Sequence, residues 1–195
     1  MNNNQISKEE IFSMKILVFL AEGFEEVEAL TVVDYLRRKD ITVDMVSITK
    51  EKKVKGAHNI IVMADKVISD IKTVDSYDGA VIPGGLPGAT NLRDHEAVIH
   101  TIKALNEKNK LVAAICAGPI VLEKAGIIKG KKVTSYPGFE EELKEGNYVE
   151  QGVARDGNMI TARGPALAVD FAIAIIDYLL GKEKANELKT SILYS

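Results

Sequence analysis

The first strong hydrophobic pattern along the chain is Ile16-Leu17-Val18-Phe19-Leu20, a continuous apolar run of the length and character of a strand buried on both faces. From Glu25 to Lys39 the apolar positions recur with helical spacing, and Ile41 to Val46 reads as a second strand, so the chain opens as a βαβ unit. A weaker strand is expected over 59–63, a short helix near Ser69, and a strand at Gly79–Ile82 that runs into the loop Pro83-Gly84-Gly85. Residues 95–108 carry a helical pattern, Leu111–Ile115 another apolar run of strand length, and 118–124 a helix closed by Gly126. The remaining pattern predicts a strand at Lys132–Tyr136, a short helix at 140–144, a hairpin over 149–162 turning at Asp156-Gly157-Asn158, and a last long helix at 165–180.

This alternation implies an α/β fold, a mostly parallel central sheet with helices on both faces and an added β-hairpin, whose ligands meet the carboxyl ends of the strands. At 195 residues the chain supports one domain, taken as 14–195. Residues 1–13 are mostly polar and read as an N-terminal extension, with Met14 a candidate natural start.

Charge and composition narrow the function classes. A formal net charge of −3 leaves no basic surplus for phosphates, so nucleic acid is not an expected partner. The apolar runs fall far short of the ~20 residues of a membrane span, and no membrane partner is expected. The single cysteine excludes an intrachain disulfide and, with the polar start Met1-Asn2-Asn3-Asn4, places the chain in a reducing cytoplasm. None of His58, His95 and His100 has metal-pair spacing to acidic or thiolate neighbours, so no metal and no cofactor are predicted; His95 and His100 are expected at the surface.

Three features carry candidate chemistry. Cys116 directly follows the run Leu111–Ile115 and precedes Ala117-Gly118-Pro119, so it stands where a strand turns sharply into a helix. The helix start would favour thiolate there, although free cysteines are also among the most buried and inert residues. The loop 83–88 would let backbone N–H groups approach a ligand, and the Gly85 and Ala117 amides could form an oxyanion site beside the sulfur; an ordinary turn is the plainer alternative. Glu28 projects between Val32 and Tyr35, at the edge of an apolar arc where a charge is out of place. Burial and a neighbouring thiolate would raise its pKa and let it donate a hydrogen bond to sulfur; like Glu25 and Glu26, it could instead simply complement the helix dipole.

Taken together, Glu25-Glu26-Val27-Glu28, Pro83-Gly84-Gly85, Ala114-Ile115-Cys116-Ala117-Gly118-Pro119 and Arg163-Gly164-Pro165 make the chain resemble the ThiJ/PfpI superfamily in its DJ-1-like branch, over residues 14 to about 190. The resemblance implies a flavodoxin-like homodimer with Cys116 as nucleophile, Glu28 beside it, oxyanion amides from Gly85 and Ala117, and accessory positions at Gly84, Arg163 and Pro165. It implies cofactor-free glyoxalase or protein deglycase chemistry on small 2-oxoaldehydes and glycated proteins, with oxidative-stress sensing or chaperone activity as the alternative. The protease-like branch carries histidine where this chain has Ala117, so peptidase activity is not expected. Tyr136 stands where the DJ-1-like branch often has histidine, and a phenol of pKa near ~10 is a poor base at neutral pH. His58 matches a family position near the partner subunit's site.

Overall fold

The computed structural model describes residues 14–194; the expected extension at 1–13 lies outside them. In chain order the strands and helices are β1 (Lys15–Leu20), α1 (Glu26–Arg37), β2 (Thr42–Ser47), β3 (Lys53–Lys55), β4 (Ile61–Met63), β5 (Lys66–Val67) and β6 (Gly79–Ile82). There follow α2 (Gly88–Arg93), α3 (Glu96–Glu107), β7 (Leu111–Ile115), α4 (Pro119–Lys124), β8 (Lys132–Val133) and β9 (Asn147–Tyr148). The chain closes with β10 (Val153–Asp156), β11 (Met159–Ala162), α5 (Ala168–Leu180) and α6 (Lys182–Ser191).

Seven strands form the central sheet in the order β10-β11-β7-β6-β1-β2-β5, parallel throughout except for β10. The continuous apolar runs are explained by two cores on opposite faces. Ile16, Val18 and Leu20 of β1, with Leu111, Ala113 and Ile115 of β7, pack with α1, α5 and α6. Leu17, Phe19, Val112 and Ala114 point the other way and pack with α2, α3 and α4. Successive side chains of a strand point to opposite faces, so a strand covered on both sides must be apolar at every position.

The chain leaves β1 towards β2 and β5, then crosses back to lay β6, β7 and β11 on the other side of β1. Such a reversal opens a crevice at the carboxyl ends of the strands bordering it. Glu28 lies just past β1, Gly84 and Gly85 follow β6, Cys116 follows β7, and Arg163 to Pro165 follow β11.

The expected fold class is the observed one, with local corrections. The strand expected at Lys132–Tyr136 is confined to Lys132–Val133; beyond it the chain is held from outside the ladder, with Thr134 N–H donating to Thr161 Oγ1 at 2.9 Å and Tyr136 N–H to Cys116 O at 2.9 Å. The hairpin's first arm starts at Val153, with its turn at Gly157 (φ 61°) as read from the sequence. The helix expected at 165–180 begins as a single 3₁₀ turn, Pro165–Leu167, and is followed after Gly181 by α6, which the polar sequence Lys182–Ser191 did not signal. Ala185 and Leu188 alone are buried on α6, too few to set a periodicity.

Candidate active site

Cys116 adopts φ 63°, the left-handed region that a non-glycine residue enters only at some cost in strain. Its conformation is fixed from both sides: its N–H donates to Ala162 O at 2.9 Å, and its C=O accepts from Tyr136 N–H at 2.9 Å. Gly118 then passes tightly under the strand end, where a Cβ would stand 2.7 Å from Ile82 O and 2.9 Å from Ile115 O. The small residues after the cysteine are therefore a packing requirement of the bend.

The first turn of α1 inverts ordinary burial. Glu26 and Glu28 are buried, whereas Val27 between them is 52% exposed. Glu28 is fully buried, with Oε2 accepting the Gly84 N–H at 2.7 Å and Oε1 meeting no hydrogen-bond partner. Gly84 keeps the carboxyl and the sulfur together: a Cβ on it would lie 2.6 Å from Cys116 Cβ, 2.7 Å from Glu28 Oε2 and 3.0 Å from Ala117 N. Glycine is required because those three groups already occupy the space.

Burial pushes the Glu28 carboxyl up to about 7, aided by the charge of Glu25 and opposed by the Gly84 N–H and the Cys116 side chain. Burial also pushes the Cys116 thiol up, to about 12; the Glu28 charge and hydrogen bond add to this, and the Ala117 and Gly85 N–H groups pull it back only in part. This corrects the expectation of a thiol acidified by the helix start. The Ala117 and Gly85 N–H groups favour the thiolate, but burial and the nearby carboxylate outweigh them. Below about pH 7 the pair is uncharged, and above it the negative charge rests on Glu28 while Cys116 keeps its proton.

The accessory positions separate into two groups. Tyr136, 48% exposed, lies against the Cys116 backbone, and its ring packs on Gly164, whose added Cβ would stand 3.2 Å from the ring. Arg163 N–H donates to Gly152 O at 3.0 Å, setting the segment that leads through Pro165 into α5. His58 is engaged by the first turn of α1. Its backbone N–H donates to Glu26 Oε1 at 2.8 Å, and its Nδ1 lies 3.0 Å from Glu26 Oε2 and 3.5 Å from Glu25. Hydrogen bonding to Glu26 raises the His58 pKa. His95 is only half-buried rather than fully at the surface, and its Nδ1 is enclosed without a partner. Sequence reading did not single out Glu26, whose role in pinning residues 58–60 is invisible to periodicity because its partners lie more than 30 residues away.

The raised Glu28 pKa has a signed consequence for stability. The folded chain holds this proton between pH 4.5 and about 7 while the unfolded chain releases it, so Glu28 makes the fold lose stability as pH rises through that window. Glu28→Gln keeps an oxygen for the Gly84 N–H but cannot ionise. Relative to wild type, the variant should gain about 3 kcal/mol between pH 4.5 and pH 8, measured by urea unfolding at each pH.

Comparison with known proteins gives the same picture. The family model described as DJ-1/PfpI family matches residues 14–178. The chain is 36% identical over 182 residues to the Parkinson disease protein 7 homolog of Danio rerio, covering 92% of this chain and 96% of that protein. It is 37% identical to Protein DJ-1 homolog B of Arabidopsis thaliana, matching 97% of this chain but only 43% of that longer protein. The solved structure of oxidized Toxoplasma gondii DJ-1 superposes with a TM-score of 0.88 at 35% identity, over 94% of this chain and 100% of that one. With the fold, the motif order and the sequence likeness in agreement over most of its length, the chain belongs to the DJ-1/PfpI family.

Proposed function

We propose that this chain is a cytoplasmic, cofactor-independent enzyme of the glyoxalase III and protein deglycase type, acting on small 2-oxoaldehydes such as methylglyoxal and glyoxal and on their protein adducts. The observation that supports this reading is the convergence on Cys116 of a buried carboxyl poised near neutrality and the Gly85 and Ala117 N–H groups.

In this reading Cys116 Sγ forms a bond to the aldehyde carbon of methylglyoxal. The carbonyl oxygen takes the proton from the shared pair, giving a hemithioacetal while the two amides stabilise the developing oxyanion. The Glu28 carboxylate then removes the proton on C1 and returns it to C2, converting the adduct to a 2-hydroxy thioester. Water cleaves the thioester, releasing lactate and restoring the thiol. The sum is methylglyoxal plus water giving lactate, with no external oxidant or reductant. Tyr136, half exposed beside the Cys116 backbone, would serve as a flat aromatic wall, with Arg163 and Pro165 as accessory positions.

A second reading, peroxide sensing at Cys116, draws support from the same amides and carboxyl, which would hold a sulfinate. A solved structural neighbour is an oxidized DJ-1. We further propose that the functional unit is a homodimer. Val27, Ile60, Ile61 and Met63 are each more than half exposed, and the bond from Ile60 N–H to Glu26 ties the hairpin carrying three of them to the helix turn carrying the fourth. Pairing with a second copy would cover this patch.

Three measurements check these readings. Purified protein should consume methylglyoxal and yield lactate. Cys116→Ala should reduce turnover to background, and Glu28→Gln should lower kcat by roughly 10²–10⁴-fold while leaving the thiol in place; equal turnover in Cys116→Ala removes the enzyme reading. Intact-mass analysis after mild peroxide should show two oxygen atoms added at Cys116 before any of the five methionines is oxidised; methionine oxidation first would count against sensing. Sedimentation should give a dimer in wild type and a monomer in Met63→Glu, because a carboxylate cannot be buried in an apolar contact without a partner.

A further inference from the structure

Away from the sulfur, the fold brings together three side chains that the proposed reaction does not use. Glu25 and Glu26 open α1, and His58 reaches them from the turn joining β3 to β4, so that one ligand-type atom from each lies within 4.8 Å of the others. The separations from His58 Nδ1 are 3.0 Å to Glu26 Oε2 and 3.5 Å to Glu25 Oε2. Ligands of a tetrahedral zinc ion at about 2.0–2.2 Å stand about 3.3 Å from each other; the two separations from His58 match this, and the third pair lies within 4.8 Å. Sequence spacing excluded such a set because His58 is 32 residues from Glu26.

We propose that Glu25, Glu26 and His58 form a three-ligand site for a divalent first-row cation, with zinc the best match, on the rim of the Cys116 pocket. The ligand types suit zinc: one imidazole and two carboxylates, with a fourth position open to water. The site is built beforehand. Glu26 is almost wholly buried, and its other oxygen, Oε1, accepts the His58 N–H at 2.8 Å and the Ile60 N–H at 3.3 Å, which aims Oε2 at the imidazole. Outer hydrogen bonds of this kind orient metal ligands. Gly56 leaves the space for this carboxylate, since a Cβ there would collide with it.

Charge balance favours the same occupant. Among the described ion pairs, Glu25 and Glu26 meet no lysine or arginine, and the nearby Lys55 is engaged with Glu22 at 3.6 Å. Among the described ion pairs, the one cationic side chain that meets the two carboxylates is His58, so a cation bound there would take over that role. The position is next to the nucleophile: Glu25 N–H donates to Gly84 O at 2.9 Å, in the loop whose next residue, Gly85, turns its N–H to the sulfur.

Zinc chloride titration by calorimetry tests this in a Cys116→Ser background, which removes the sulfur as a competing ligand. One zinc per chain is expected, with binding weakened about tenfold or more by adding His58→Ala or Glu25→Gln. His58 is largely exposed and Glu25→Gln keeps the backbone bond, so both variants should fold, as circular dichroism would verify. Absence of one-to-one binding up to millimolar zinc, or affinity unchanged in both variants, would overturn the site.

Discussion

The central constraint in this molecule is that two groups able to carry negative charge are enclosed together where only one charge can be sustained. Glu28 and Cys116 are both held above their ordinary pKa by burial; the Glu28 charge makes the thiol harder to ionise, while the thiol's hydrogen bond eases ionisation of Glu28. The features that look unusual elsewhere serve this confinement. Gly84 exists to leave room for both side chains, the left-handed backbone at Cys116 aims the sulfur, and two amides from separate loops approach it. With its pKa raised to about 7, the Glu28 carboxyl can both give and take a proton at neutral pH.

That confinement is made possible by an exchange of roles in the first turn of α1. A helix in this position would normally bury its valine and expose its acids. Here Glu26 and Glu28 go inward and Val27 outward, each acid having backbone N–H groups to meet it: Gly84 for Glu28, His58 and Ile60 for Glu26. Buried carboxylates are tolerated where such donors are supplied, and one turn of helix thereby organises both the β6 loop and the β3–β4 turn.

The sheet was readable from the sequence because strands covered on both faces must be apolar at every position, as in Ile16–Leu20 and Leu111–Ile115. Glu28 was visible as a charge at the edge of an apolar arc, and Cys116 as a cysteine between a strand and small residues. What could not be read was long-range. The pinning of the β3–β4 turn by Glu26, the meeting of His58 with Glu25, and the balance of burial against amides at the sulfur all depend on residues far apart in the chain. Helix α6 escaped for a different reason, because it docks through two apolar side chains on an otherwise polar segment. The strand expected through Tyr136 failed because its backbone partners there are a threonine hydroxyl and the cysteine carbonyl instead of a neighbouring strand.

The division of the interior into two cores decides how firmly each strand end is held. The strand that ends in Cys116 is clamped from above and below by unrelated sets of side chains. Tyr136, beside the cysteine, belongs to neither set and is held through its backbone bond to Cys116 O. A substitution at the exposed Tyr136 would therefore disturb neither core, whereas one along Leu111–Ile115 would unsettle whichever layer that side chain faces.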